Sequence, residues 1–94
     1  MTEKREGPKA PSAVEVPPNS DQLTAFDRAH LTVYLRLLDA EAAKVEWHIS
    51  AHDIVGVDPS QDIVGARHVF DAYCVRAHWM ARAGYRLMAA EPKR

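Results

Sequence analysis

The chain has 94 residues, 47% of them hydrophobic and 27% charged, with a formal net charge of −1. A chain of this length forms one small domain at most, and its near-neutral charge predicts no strong attraction to nucleic acid or to anionic membranes. It has no apolar run near the roughly 20 residues of a membrane span, no signal-peptide pattern, and a single cysteine, which excludes an internal disulfide. We therefore expect a cytoplasmic protein.

The N-terminal segment, residues 1–22, holds four of the six prolines, mixed charge and few large apolar side chains. Such a composition buries too little surface to offset the entropy lost on ordering. We therefore predict a disordered tail over residues 1–22, a folded domain over 23–90, and a frayed C-terminus over 91–94. A tail that binds a partner is the alternative interpretation.

The first predicted helix runs from about Ala25 to Ala43. Its apolar residues fall on one face at helical spacing, and the predicted core face consists of Leu31, Tyr34, Leu35, Leu38 and Ala42. Three polar residues could cap its start, namely Ser20, Asp21 and Thr24.

The second predicted helix runs from about Val45 to Val55, and Gly56 supplies a left-handed stop. Its predicted inner face consists of Trp47, Ala51, Ile54 and Val55. A turn follows that is longer than the three or four residues usual in a helix-turn-helix motif. In that turn Asp58 could act as the N-cap of the next helix, with Pro59 at the first helical position.

The third predicted helix runs from about Asp62 to Ala83, with Gly84 as its end and a short helical turn over residues 85–90. The predicted core face of this helix consists of Ile63, Ala66, Phe70, Tyr73, Cys74, Ala77, Met80 and Ala81. No stretch alternates with period two, so no strand competes. The predicted fold is all-α: three helices and a short C-terminal helical turn, in a helix-turn-helix variant with an extended turn.

The third predicted helix also carries a second apolar stripe, roughly opposite Phe70, formed by Ala72, Val75 and Trp79. A solvent-facing stripe should be polar, so either another part of the chain covers it or it docks a second protein. Under the docking hypothesis the partner-binding residues are Val75, Arg76, Trp79, Arg82 and Arg86. If Trp79 belongs to the core, the docking site would lie on the outer face of the first helix, around Val33 and Leu37.

Two residue pairs at four-residue spacing have side chains of the kinds that bind metals or act in nucleophilic catalysis. His48 and His52 could share a metal ion, but no third ligand has a recognisable spacing. Cys74 and His78 could form a nucleophile and base, but Cys74 lies on the predicted core face, where a small inert side chain is usual. We therefore predict no catalytic residue, no metal, no cofactor, no small-molecule ligand and no enzymatic activity.

The charge distribution bears on DNA binding. Between residues 39 and 62 the chain has six acidic residues and one cation, Lys44, whereas cations predominate from residue 63 onwards. DNA-binding domains neutralise phosphates with Lys and Arg, so the carboxylates of Asp53, Asp58 and Asp62 in or beside the turn oppose DNA binding.

Four runs of residues carry a family resemblance: HLTVYLRLLDA at 30–40, GVDP at 56–59, RAHWM at 76–80 and GYR at 84–86. In this order and spacing they resemble small helix-turn-helix domains with an extended turn, a domain of unknown function common on proteobacterial mobile elements. The resemblance covers about residues 25–90. Family members occur as DNA-binding halves of activators of conjugative transfer and as stand-alone domains.

The short acidic chain is similar to a stand-alone member that acts as an antiactivator on an integrative and conjugative element. The resemblance implies that the chain binds a transcriptional activator where that activator's own related domain docks, without binding DNA. The alternative is a DNA-binding helix-turn-helix regulator that uses the basic half of the third helix.

Overall fold

A computed structural model describes residues 15–91. Its helices are α1 (Ala25–Ala29), α2 (Leu31–Ala42), α3 (Trp47–Ser50), α4 (Ile63–Trp79) and α5 (Tyr85–Ala89). Wider π-helical turns, Ala51–Val55 and Met80–Gly84, continue α3 and α4. Residues 15–91 contain no strand, which confirms the all-α prediction, and none of their helices is long and apolar enough to cross a membrane.

The first predicted helix is in fact two helices. Thr24 begins α1 as predicted: its hydroxyl accepts from the amide of Asp27 at 3.2 Å, and the Asp27 carboxylate accepts from the amide of Thr24 at 3.1 Å. The break falls at His30, whose backbone leaves the helical region at φ −118° and ψ 20°. The His30 ring stacks on Phe26 and hydrogen-bonds its carbonyl oxygen at 2.7 Å, so a local side-chain contact supports the break.

Left-handed residues end the next two helical segments. After α2, Lys44 adopts φ 60°, its amide donates to Glu41, and the amide of Val45 donates to the carbonyl of Ala40 at 3.0 Å. This pair of hydrogen bonds is the Schellman ending of a helix, here without glycine. Gly56 follows the π turn after α3 with φ 92°, which confirms the predicted stop.

The extended turn is organised by two carboxylates. Asp58 accepts hydrogen bonds from the amide and the hydroxyl of Ser60, at 3.0 and 2.7 Å. Asp62, not Asp58, is the N-cap of α4, and its carboxylate accepts from the amide of Gly65 at 2.9 Å. The prediction that Asp58 caps the helix was wrong because its side chain closes the preceding turn.

The prediction that Gly84 ends the third helix was also wrong. Gly84 keeps helical angles, φ −62° and ψ −45°, and the chain continues into α5. A Cβ at this position would lie 2.8 Å from the Trp79 ring, so the glycine permits a close approach.

The core lies where α4 crosses α2 and the π turn after α3. Nine apolar side chains are buried there: Tyr34, Leu37, Ala51, Val57, Ala66, Val69, Tyr73, Ala77 and Met80. Two predicted core residues, Leu35 and Ile63, are instead 50% and 62% exposed, and Ala42 and Ala81 are also exposed. Leu37 is buried, which corrects its expected place on the outer face of the first helix.

Residues 15–22 lie against α4, and we call them the N-terminal strap. The carbonyl of Glu15 accepts from the Tyr73 hydroxyl at 3.0 Å, Pro17 is buried, and the carbonyls of Ser20 and Gln22 accept from Arg76. For these residues the prediction of a disordered tail was wrong, because side chains of α4 satisfy the strap's backbone carbonyls. Residues 1–14 and 92–94 lie outside the described residues.

Deleting residues 1–22 should therefore lower the free energy of unfolding by about 1–3 kcal/mol, since Arg76 and Tyr73 lose their acceptors in the strap. Urea unfolding followed by circular dichroism measures this difference. Deleting only residues 1–14 retains these contacts and is the matched control. Equal stability of the two truncated chains would contradict a structural role for the strap.

Candidate functional site

A buried ion pair organises one side of the molecule. Asp27, at the end of the first turn of α1, is fully buried, and Arg76 on α4 is 4% exposed. The guanidinium of Arg76 makes two hydrogen bonds to the carboxylate, from Nε to Oδ1 at 2.9 Å and from Nη2 to Oδ2 at 2.6 Å. The Tyr34 hydroxyl donates to Oδ1 at 2.8 Å, and Thr24 donates to Oδ2. A bidentate Arg–carboxylate pair with its remaining lone pairs satisfied is a strong buried interaction.

The pair changes the acidity of its members. Burial alone would raise the pKa of Asp27, but hydrogen bonds from Arg76, Tyr34 and Thr24 outweigh it and lower this pKa to about 2. Burial, together with the hydrogen bond to Asp27, raises the pKa of Tyr34 far above its ordinary value. Near neutral pH the carboxylate is therefore ionised and the phenol neutral.

Arg76 also fixes the surroundings of the ion pair. Its Nη1 donates to the carbonyl of Ser20, its Nη2 donates to the carbonyl of Gln22 at 2.8 Å, and its guanidinium carbon lies 3.8 Å from the centre of the Trp79 ring. This corrects the expectation that Arg76 is an exposed cation beside a docking surface. Its charge is neutralised inside the protein, and its role is to hold the strap and Trp79 in place.

The outward stripe of α4 lines a groove of about 560 Å³ between that helix and the N-terminal strap. Val75 is 69% exposed in the groove, Ala72 and Trp79 are partly buried, and Arg82 stands exposed at the edge. The remaining lining residues are Pro17, Pro18, Asn19, Ser20, Asp21, His68, Asp71 and Arg76. The strap therefore covers part of the stripe and leaves the rest open.

Of the residues predicted to bind a partner, the structure brings Val75, Arg76, Trp79 and Arg82 to this groove. Arg86 is exposed on α5, where its guanidinium donates to the carbonyl of Arg82 at 3.0 Å, and it does not line the groove. Trp79 belongs partly to both predicted environments, because its ring lies against Arg76 and packs on the core, and the residue also lines the groove.

The acidic residues lie together at the other end of α4. Asp53 is in the π turn after α3 and pairs with His52 at 2.8 Å, while Asp58 and Asp62 organise the turn and cap α4. The hydrogen bonds from Ser60 lower the pKa of the Asp58 carboxyl, and the hydrogen bond with Asp53 raises the pKa of His52. Each of these acids thus has a local structural role besides its contribution to a negative surface.

The histidines of the two pairs with possible metal-binding or catalytic roles contact carboxylates instead of each other or Cys74. His48 and His52 pair with neighbouring carboxylates rather than with each other, and within residues 15–91 no three potential metal ligands cluster. His78 pairs with Glu41 of α2 at 2.6 Å. Cys74 is half-buried, and burial, reinforced by nearby carboxylates, raises the pKa of its thiol to about 11. Near pH 7 this thiol is protonated and therefore a weak nucleophile.

Neither the pairing of Asp27 with Arg76 nor the strap as a wall of the groove was predicted from the sequence. One signal was available: Asp27 precedes Tyr34 by seven residues and so shares its helical face, which places a carboxylate on an apolar side. Forty-nine residues separate Asp27 from Arg76, and no local pattern connects them.

No protein-family model matches the chain, and no curated protein matches it significantly.

Proposed function

We propose that the chain is an antiactivator that binds a transcriptional activator of conjugative-element excision or transfer. The observation that carries this proposal is the open apolar groove beside α4, with Val75 69% exposed in it. A partly apolar groove walled by rigid side chains is a surface suited to protein binding.

Three residues of the groove would contribute to binding in different ways. Trp79 supplies an aromatic edge already packed against Arg76, and Val75 supplies an apolar surface that a partner can cover. Interfaces concentrate their energy in buried aromatic and Arg side chains, and covering further apolar surface such as Val75 adds to it. Arg82 at the edge acts mainly on the rate of association and its salt dependence.

The placement of charge supports a protein partner over DNA. Two arginines of α4 are already paired with carboxylates: Arg76 with buried Asp27, and Arg67 with Asp71 at 3.0 Å. The turn before α4, which would face DNA in a helix-turn-helix protein, carries Asp58. Phosphate would meet repulsion at the turn and few free cations on the helix.

Inhibition by this route requires only occupancy. A domain that binds the activator where the activator's own related domain docks prevents the active arrangement from forming. No bond is made or broken, and the degree of inhibition follows from affinity and concentration.

Replacing Val75 with serine is expected to weaken binding to the activator by about tenfold, because the partner no longer covers an apolar side chain. Binding is measured by calorimetry with the purified helix-turn-helix activator of the host's conjugative element. A reporter driven by that activator should be repressed by the wild-type chain and less so by the variant. The melting midpoint should stay close to wild type, since Val75 is 69% exposed.

Leu35→Ser is the matched control, because Leu35 is a 50% exposed apolar residue on α2, away from the groove. Its binding should equal that of the wild-type chain. Absence of any binding to the activator would refute the proposed function. Specific nanomolar binding of the isolated chain to duplex DNA, in a mobility shift repeated across salt concentrations, would instead favour a DNA-binding regulator.

A further inference from the structure

A second apolar surface lies at the N-terminal end of α4. It is a shallow depression of about 380 Å³ lined by Trp47, Ile63, Val64 and Arg67, which we call the α3–α4 patch. Ile63 is 62% and Val64 77% exposed, and Trp47 is half-buried. Nearby on α3, Ile49 is 46% exposed. Adjoining exposed apolar residues of this kind typically mark an interaction surface.

Local structure gives no reason for apolar residues at the start of α4. Asp62 caps this helix through its own carboxylate, so the first turn does not depend on the side chains that follow. Ile63 and Val64 are β-branched, and such residues lower helix propensity slightly. The buried core does not include either of them. Their exposure therefore lacks an explanation within the described fold.

The floor of the patch is held in place before any partner arrives. The guanidinium of Arg67 lies 4.9 Å from the Trp47 ring centre, and its Nε donates to Asp71 at 3.0 Å. Trp47 also packs at 5.8 Å from Phe70. The single cation of the patch is thus paired with a carboxylate, and its flat face covers the indole.

Acidic residues adjoin the patch in the sequence, and we call them its border. Asp62 immediately precedes Ile63, and Glu46 immediately precedes Trp47, with a side chain 72% exposed. On the adjoining surface of α3 and the extended turn, Asp53 and Asp58 line a neighbouring depression with Ile49. On the same surface, His48 lies 3.3 Å from Glu46 and His52 lies 2.8 Å from Asp53.

We propose that the α3–α4 patch docks a basic amphipathic segment of a protein partner. Apolar side chains of the segment cover Ile63, Val64 and Trp47, and its lysines or arginines face the carboxylates of the border. The site is separate from the groove beside α4, so the protein has two docking surfaces. This proposal does not depend on the identity of the partner at the groove.

The charge of the border argues against two other occupants. Nucleic acid would place phosphates against the carboxylates of Asp58 and Asp62. A second copy of the chain, joined by a two-fold axis through the patch, would place the same acidic border against itself. A cationic segment is the occupant for which both the apolar floor and the border are favourable.

The test is a titration of the ¹⁵N-labelled full chain with three synthetic peptides of about 18 residues, long enough to form a helix on binding. The first has a leucine face and a lysine face, the second replaces lysine with glutamate, and the third replaces leucine with serine. Amide shifts are expected at residues 45–49 and 62–67 with the first peptide alone. Its affinity should fall as salt is raised.

Val64→Ser and Val75→Ser form a matched pair, because both valines lie on α4 with similar exposure, 77% and 69%. Val64→Ser should weaken the Leu/Lys peptide about fivefold to tenfold, whereas Val75→Ser should leave its affinity unchanged. For the activator at the groove, Val75→Ser should weaken binding and Val64→Ser should not. The two proposals can therefore fail independently, and each failure is recognised by its own variant.

Three results would overturn the proposal. If the Ser/Lys peptide bound as tightly as the Leu/Lys peptide, charge alone would account for the interaction. Shifts centred on residues 72–82, or unchanged affinity in Val64→Ser, would place the peptide elsewhere. Self-association of the wild-type chain in sedimentation, abolished by Val64→Ser, would make a second copy the occupant.

Discussion

Replacing Asp27 with alanine should destabilise the fold by roughly 3–5 kcal/mol, because it leaves the buried guanidinium of Arg76 without its carboxylate. Asp27 is fully buried and also accepts from Tyr34 and Thr24, so the substitution removes several hydrogen bonds at once. A domain of this size has a total stability of about 5–15 kcal/mol, so the loss is a large fraction of it. Urea unfolding measures the change.

The control is Asp71→Ala on α4. Asp71 pairs with Arg67 at 3.0 Å, but both side chains of that pair are about half exposed. An exposed pair of this kind contributes about 0–1 kcal/mol. A loss for Asp27→Ala no larger than for Asp71→Ala would contradict the role given to the buried pair.

Acid should destabilise the protein through the same carboxyl. Its pKa is 3.8 ordinarily and about 2 in the folded chain, so the ionised form stabilises the fold by about 2.5 kcal/mol at neutral pH. Because the folded pKa is the lower one, this contribution is fully present above about pH 5. It is lost as pH falls from about 5 towards 2. Unfolding free energies across this range measure it.

Other carboxyls also titrate in that range, so the wild-type curve alone is insufficient. Asp27→Asn lacks the titrating group, and its stability should therefore fall less steeply with acid than that of the wild type. The difference in unfolding free energy between the wild type and Asp27→Asn should decrease by about 2 kcal/mol from pH 6 to pH 2, where the folded carboxyl is half protonated. Asp39→Asn, at an exposed position on α2, should instead follow the wild-type curve. Parallel curves for Asp27→Asn and wild type would show that Asp27 is not the group responsible.

The sequence predicted the features that depend on neighbouring residues. Periodicity gave the all-α class, Thr24 was among the caps, and Gly56 was the left-handed stop. The helix endings that were wrong depend on contacts from farther away. Glycine often ends a helix, but Gly84 lies within a continuing one, where the close approach of the Met80 and Trp79 side chains explains its presence.

The candidate groove was predictable only in part. The apolar stripe of Val75 and Trp79 was visible at helical spacing, because exposure of one helical face is a local property. The second wall of the groove, the N-terminal strap, was not visible in the sequence. A proline-rich segment gives no periodic signal, and this one binds α4 through its backbone carbonyls. Arg76 was predicted to be exposed because nothing near it in the sequence shows its partner, Asp27, which lies on another helix.

The stacking of Trp79 on Arg76 has a consequence for the kinetics of complex formation. The guanidinium is held by a buried carboxylate and by strap carbonyls, and the indole lies 3.8 Å from it. The aromatic edge of the groove is thus preorganised, and little side-chain entropy remains to be lost when a partner covers it. Loosening Arg76 should therefore shorten the lifetime of a complex at the groove, even though this side chain is only 4% exposed.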